Sequence, residues 1–421
     1  MNRKYRLRCV TCGRVYEPEE IEYTCPHCGE RFGTLEVVYD YDEIKLKRSD
    51  LSKEGDIWQF LPLLPLPGDC YKVPLKIGGT PLYSFKDLGK RFGLGDLLVK
   101  YDGGNPTGSY KDRATVVAIA KAYEKGFDTI YCASTGNAAS SLAGLSAPTD
   151  LKTYIFLPAK APIAKISQLF VYGACVIAID GSYDTAFDIS MRIGEEKGWY
   201  SRNSAINPYL LEGKKTGAME IAVQNDWNVP DFVMVGVGDG TVISSIYKGF
   251  FDLYMIGLVD RIPRIIGVQA EGADAVKRAF EGGEPFKPHD VIAETVADSI
   301  SVGKPRDVIK ACKYVKRSGG FFITVSDEEI LLSVKELAEK TGIFAEPAGA
   351  VPYAGMKKLV ERGFFKKEDT VCLMVTGNGL KDIKAVEKLV DLKPVKPDLE
   401  SVREVIEDED KFQDQWKGNE C

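Results

Sequence analysis

Short apolar runs alternate with stretches of helical periodicity along most of the chain. Runs near 97–101, 129–133, 153–157, 175–179, 232–235, 264–268 and 371–375 have the length of buried strands. Between them lie helical patterns such as 184–197, 213–225, 328–341 and 350–362. This rhythm predicts an α/β fold with two doubly wound, mostly parallel sheets carrying helices on both faces. Another helix begins near Ala114, where Val116, Val117, Ile119, Ala120 and Tyr123 recur at intervals of three and four, so Lys111 sits in its first turn or just before it. The proline- and leucine-rich stretch 60–68 reads as a linker, and the polar, acidic residues 396–421 as a peripheral helix or tail.

Residues 1 to about 40 break this rhythm. Cys9-Val-Thr-Cys12 and Cys25-Pro-His-Cys28 are two Cys-x-x-Cys knuckles, each followed by glycine and joined by a strand-like segment. Four thiolates at this spacing suit a tetrahedral structural zinc, as in a zinc ribbon, with a disulfide pair as the alternative. His27 reads as a surface residue of its knuckle. Cysteines 70, 132, 175, 312, 372 and 421 are scattered singly and read as reduced core residues.

Composition narrows the function. At 421 residues the chain is long enough for two or three domains, and 44% apolar with 28% charged residues suits a soluble globular protein. No run approaches a membrane span, and the start is charged rather than signal-like, so a cytoplasmic protein is expected. A formal charge of -6 argues against nucleic acid as a partner. With only His27 and His289 present, a histidine triad is disfavoured, and proton transfer falls to a lysine, a carboxylate or a cofactor.

Four strand-end loops carry the candidate chemistry. The first, Gly104-Asn-Pro-Thr-Gly-Ser-Tyr-Lys111-Asp-Arg113, places a lysine between strand and helix. The second, Ser134-Thr135-Gly136-Asn137-Ala138, offers backbone N–H groups at a helix start, suited to a substrate carboxylate. In the third, Gly236-Val237-Gly238-Asp239-Gly240-Thr241, glycines let the backbone close around a phosphate; its spacing is not that of the dinucleotide fingerprint. The fourth brings the hydroxyl of Thr376. An amine, an anion cradle, a phosphate loop and a hydroxyl are what a phosphorylated aldehyde needs, and that aldehyde is pyridoxal 5'-phosphate. Lys111 would hold it as a Schiff base and, once displaced by a substrate amine, act as a base beside Cα.

These stretches resemble the threonine synthase branch of the fold-type II pyridoxal phosphate enzymes, from the zinc ribbon through Lys381-Asp382. Asn105-Pro-Thr-Gly-Ser-Tyr-Lys111-Asp-Arg is similar to the family's cofactor-lysine motif, with tyrosine where phenylalanine is usual. Asn203-Ser204, Glu212-Gly-Lys-Lys-Thr216, Phe344-Ala-Glu346-Pro-Ala348 and the leader Tyr39-Asp-Tyr-Asp continue the match. The resemblance implies that Lys111 carries the imine, Asn137 contacts the ring hydroxyl, Gly236 to Thr241 bind the phosphate and Thr376 faces the pyridine nitrogen. It implies a homodimer and, as reaction, loss of phosphate from O-phospho-L-homoserine with water added at Cβ to give threonine. The expected organisation is a ribbon at 1–40, a large cofactor-binding domain from 55–125 and 206–395, a smaller α/β insertion at 126–205, and the tail at 396–421.

Two positions depart from the family. Ala138 stands where a threonine often follows Gly-Asn, and Leu210 stands where Asn-Pro-x-Arg places an arginine that can clamp phosphate. Lys165, Arg202, Lys214 and Arg113 are the candidate replacements. The departures keep open a serine or threonine ammonia-lyase, or a cysteine-synthase-like enzyme, of the same fold. A non-catalytic zinc-ribbon protein is the reading from another class, since Tyr5, Arg6, Arg8, Arg14 and Tyr16 sit in the ribbon, though Glu17, Glu19, Glu20 and Glu22 counter them.

Overall fold

The computed structural model describes residues 5–387, 390, 392 and 394–407, without the side chains of 164 and 165. Three strands, β1 (Tyr5–Cys9), β2 (Val15–Tyr16) and β3 (Leu35–Tyr39), form an antiparallel ribbon in the order β2-β1-β3. In β1 the period of two turns Tyr5, Leu7 and Cys9 inward and leaves Arg6 exposed. Gly13 and Gly29 follow the knuckles with φ of 75° and 72°, and their N–H groups donate to Cys9 O and Cys25 O, both at 2.9 Å. Only glycine takes this backbone without strain. The four Sγ atoms of Cys9, Cys12, Cys25 and Cys28 consequently lie within 4.8 Å of one another, and all four thiols are free. His27 is exposed.

Ten further strands follow: β4 (Leu82–Ser84), β5 (Asp96–Tyr101), β6 (Thr129–Ala133), β7 (Lys152–Pro158), β8 (Cys175–Ile179), β9 (Tyr200–Ser201), β10 (Phe232–Gly236), β11 (Arg264–Ala270), β12 (Phe321–Val325) and β13 (Thr370–Val375). One sheet has the order β12-β11-β10-β13-β5-β4, parallel except for the antiparallel edge strand β4; the other, β8-β7-β6-β9, is wholly parallel. The fold is thus α/β with two mostly parallel sheets; the apolar runs of the sequence are its central strands, except 175–179, which is the partly exposed edge strand β8.

Several expectations need correction. The stretch 60–68 is not a free linker. Its first residues belong to the 3-10 helix Ile57–Leu63, and Phe60, Leu63, Leu64 and Leu66 are all buried in the core. Cys175 is exposed and Cys70 half-buried, whereas Cys132, Cys312 and Cys372 are core residues as read; Cys421 lies outside the described residues. Contacts divide the chain after Ile383. In the tail, 399–407 are helical and 408–421 lie outside the described residues. No helix among the described residues is long and apolar enough to cross a membrane.

Two buried charge networks fix the parts around the site. Arg113 reaches Asp102 (2.6 Å) and Glu220 (2.7 Å), Lys100 reaches Glu220 (2.7 Å), and Thr80 donates to Asp102 (2.7 Å). Asn105 Nδ2 also donates to Asp102, so the loop before Lys111 is held at its base. Arg113 is therefore a structural charge. The second network joins the ribbon to the body: Tyr39 OH donates to Glu212 and Tyr41 OH to Asp252, both at 2.6 Å, and Lys215 lies between the two carboxylates.

Candidate active site

Parallel register brings three strand ends level. Tyr101 of β5 pairs with Val375 of β13, and Met374 of β13 pairs with Val235 of β10. Loops leaving these strands therefore meet at one carboxyl edge. Those after β5 and β13 are stitched together: Tyr110 N–H donates to Thr376 O (2.8 Å) and Asn378 N–H to Gly108 O (3.0 Å). Lys111 then opens the helix Lys111–Glu124. From the second sheet, β6 runs into the helix Asn137–Ser146, with Ala133 N–H held by Asn203 Oδ1 at 2.7 Å.

A cavity of about 500 Å³ lies between these ends. Lys111, Ser134, Thr135, Gly136, Asn137, Ala138, Gly236, Val237, Gly238, Asp239, Gly240, Thr241 and Thr376 all border it. Burial depresses the pKa of Lys111, and the positive charge of Arg202 adds to this, against the pull of Asp239 and Glu346. An ammonium so placed gives up its proton more readily than a solvated lysine.

The glycine loop enters the helix Thr241–Met255 through Gly240, whose φ is 97°. A Cβ on Gly236 would meet Ala348 O at 2.7 Å, and one on Gly238 would meet Ile300 Cα at 2.9 Å. The loop is thus a close-packed backbone with its N–H groups at a helix N-terminus. Lys214 Nζ donates to Thr241 Oγ1 at 2.8 Å from the buried helix Tyr209–Gln224. Burial, and then the nearby charge of Lys111, drive the Lys214 pKa well down.

Two contributors carried no assigned role in the sequence reading. Asn137 Nδ2 donates to both oxygens of Glu346 (3.0 and 2.9 Å) and to Ser299 Oγ (3.3 Å). Glu346 belongs to the Phe344–Ala348 stretch, and burial raises its pKa against the Asn137 hydrogen bonds. Ser299 comes from the short 3-10 helix Asp298–Ile300, which borders the cavity without any motif to mark it. Of the candidate phosphate-binding cations, Arg113 is consumed by its carboxylates, Lys214 lies behind the glycine loop, Arg202 borders the cavity, and the side chain of Lys165 lies outside the described residues.

Residues 73–377 match the family model described as pyridoxal-phosphate dependent enzyme. The chain is 43% identical over 383 residues to a threonine synthase of Methanocaldococcus jannaschii, covering 89% of this chain and 92% of that protein. It is 39% identical to a threonine synthase of Methanosarcina acetivorans, covering 96% and 98%. Among solved structures, threonine deaminase isoform 2 of Solanum lycopersicum superposes with a TM-score of 0.63 at 21% identity, over 74% of this chain and 88% of that one. An O-ureido-L-serine synthase gives the same TM-score at 18% identity, over 75% and 94%. These two likenesses establish the fold, two mostly parallel sheets as in fold-type II enzymes. With a matched family model, a half-buried lysine among four strand-end loops and relatives aligned over nearly its full length, the chain belongs to the pyridoxal-phosphate-dependent enzymes and, within them, to the threonine synthases.

Proposed function

We propose that Lys111 holds pyridoxal phosphate in this cavity and that the chain converts O-phospho-L-homoserine into threonine and phosphate. The observation that carries the reading is the meeting of Lys111, Asn137, the 236–241 loop and Thr376 around one cavity. The donor set fits the cofactor: an amine with a depressed pKa, a glycine cradle that a Cβ would fill, and a hydroxyl for the ring nitrogen. When bound, the cofactor supplies an electron sink that acidifies Cα of the attached amino acid. N–H groups of Ser134 to Ala138 orient the substrate carboxylate at a helix N-terminus. Lys111, neutral for a larger fraction of time than a solvated lysine, takes one proton at Cα and one at Cβ so that phosphate can leave Cγ, and returns one at Cγ and one at Cα as water adds its hydroxyl at Cβ. Asn137 is the partner for the ring hydroxyl, and Glu346 holds its amide in place until then.

Phosphate released from O-phospho-L-homoserine, with threonine formed in equal amount, is the expected assay result. Formation of 2-oxobutyrate from threonine with no phosphate release would favour the ammonia-lyase reading, which Leu210 supports by lacking a phosphate donor. The ribbon's packing against the body, through Tyr39 and Glu212, supports an accessory role over an independent binding module.

Replacing Gly240 with alanine is expected to weaken cofactor affinity about tenfold, because a left-handed backbone strains any Cβ by about 1–2 kcal/mol. That Cβ would also meet Ala311 Cβ and Asp307 O at 3.0 Å. Titration of apoprotein with pyridoxal phosphate, followed by visible absorbance, measures the effect.

The four-cysteine cluster is read as a zinc site. Tetrahedral Zn–S bonds of about 2.3 Å put sulfurs about 3.8 Å apart, and Cys12 Sγ lies 3.8 Å from Cys25 Sγ. A Cys28→Ala variant is expected to lose its zinc, measured by atomic absorption, and at least about 2 kcal/mol of stability, read from urea unfolding.

A further inference from the structure

We propose that Arg202 is the receptor for the phosphate group of the substrate, in a place different from that of the family's arginine at position 210. The inference rests on the threonine synthase reading above and names the residue that recognises its phosphomonoester.

Backbone pairing fixes where Arg202 stands. Tyr200 and Ser201 of β9 pair with Ile130 and Tyr131 of β6, and Arg202 N–H donates to Tyr131 O at 2.8 Å. Arg202 therefore leaves its sheet beside the loop that cradles the substrate carboxylate, and it borders the cavity.

Its side chain is wholly buried but only half engaged. Nε donates to Thr115 Oγ1 at 3.0 Å and Nη2 to the Lys111 carbonyl at 3.4 Å, whereas Nη1 is buried with no partner. Among the described residues it forms no ion pair. Arg113, buried to the same degree, has two carboxylates. A guanidinium stays charged, so one buried without a counterion is costly unless an anion arrives to meet it. Burial accordingly pulls the Arg202 pKa downward.

Of the other cations near the cavity, Lys304 pairs with Asp184 at 3.7 Å and Lys214 is held by Thr241 of the glycine loop, while Arg306 stacks 3.8 Å from the Phe187 ring centre and is only half-buried, so its charge stays partly solvated where that of Arg202 does not. Leu210 is 1% exposed and packed in the core. A phosphate dianion matches the guanidinium fork, and the carboxylate already has the N–H groups at 134–138. Placed here, Arg202 also touches the backbone of Lys111, so the phosphate-bearing carbon and the proton carrier are brought to the same side of the cavity.

The test uses holoenzyme carrying Arg202→Gln or Arg202→Lys. Loss of a charge-assisted hydrogen bond should lower kcat/KM for O-phospho-L-homoserine about 100-fold in the Gln variant. Inhibition by inorganic phosphate should weaken in parallel, and the Lys variant should fall between. Visible absorbance of the bound cofactor, and its shift on adding L-threonine, which has no phosphate, should be retained. Phosphate inhibition and kcat/KM that stay within about threefold of the unaltered enzyme would overturn the proposal. Should the Gln variant not fold, a crystal structure of the unaltered holoenzyme with inorganic phosphate decides: an oxygen within hydrogen-bond distance of the guanidinium is expected, and phosphate bound elsewhere in the cavity overturns it. If the unaltered enzyme binds cofactor but releases no phosphate from O-phospho-L-homoserine, the parent reading fails instead.

Discussion

Lys111→Ala is expected to lower threonine formation by at least about a thousandfold, the scale of a lost general base, and to remove the visible absorbance of the lysine-bound cofactor. The variant should nevertheless fold. Lys111 opens its helix, where alanine is well tolerated, and its partly desolvated ammonium costs free energy rather than adding stability. Turnover and the ultraviolet-visible spectrum measure the two losses, and far-UV circular dichroism measures the fold. Partial rescue by small exogenous amines would show that an amine in this space is what is missing. A variant with near-normal turnover would remove Lys111 from the reaction.

Glu220→Gln is expected to destabilise the fold by about 3–5 kcal/mol, the cost of breaking a buried ion pair from one side. Arg113 and Lys100 would keep their charges with too few partners. Although burial alone would raise the Glu220 pKa, the two cations overcome it and hold the carboxyl at about 2, below its usual 4.5. Because the folded value is depressed, this stabilisation is fully present above the unfolded pKa and is lost as pH falls from about 4.5 toward 2. Urea unfolding at pH 7 should show a large gap between variant and unaltered protein, and the gap should narrow as the solution is acidified through that window. A gap below about 1 kcal/mol at pH 7 would mean the network is worth no more than a surface pair.

The fold was legible where one physical signal dominated. Parallel strands buried on both faces read as uninterrupted apolar runs, so β5, β6, β7, β10, β11 and β13 stood out, while the partly exposed edge strand β8 stood out by its apolar composition alone. The two-residue β9 and the three-residue edge strand β4 are too short to carry a pattern. The helix Tyr209–Gln224 was read as starting at 213 because it is buried nearly all round and shows no polar face to mark its first turn. Prolines made 60–68 look like a linker, although its leucines held the contrary signal.

The site divides in the same way. Lys111, Asn137, the 236–241 loop and Thr376 each follow a strand, so local sequence was enough to single them out. Glu346 acquires its contact only when Asn137 arrives from the other sheet. Arg113 and Arg202 are alike in sequence, two basic residues near apolar runs. What separates them is whether a carboxylate waits in the folded interior, and that is a tertiary fact.

The ribbon's seams also set an order of events during synthesis. Tyr39 waits for Glu212, 173 residues later, and Glu36 for Tyr314, 278 residues later. The cysteine cluster needs only the first few dozen residues. Emerging from the ribosome before the body, the knuckles can close while the faces of β3 that will meet the body are still wetted. On the zinc reading proposed above, a cell short of metal would therefore face its difficulty with the nascent chain, well before any active site exists to be impaired.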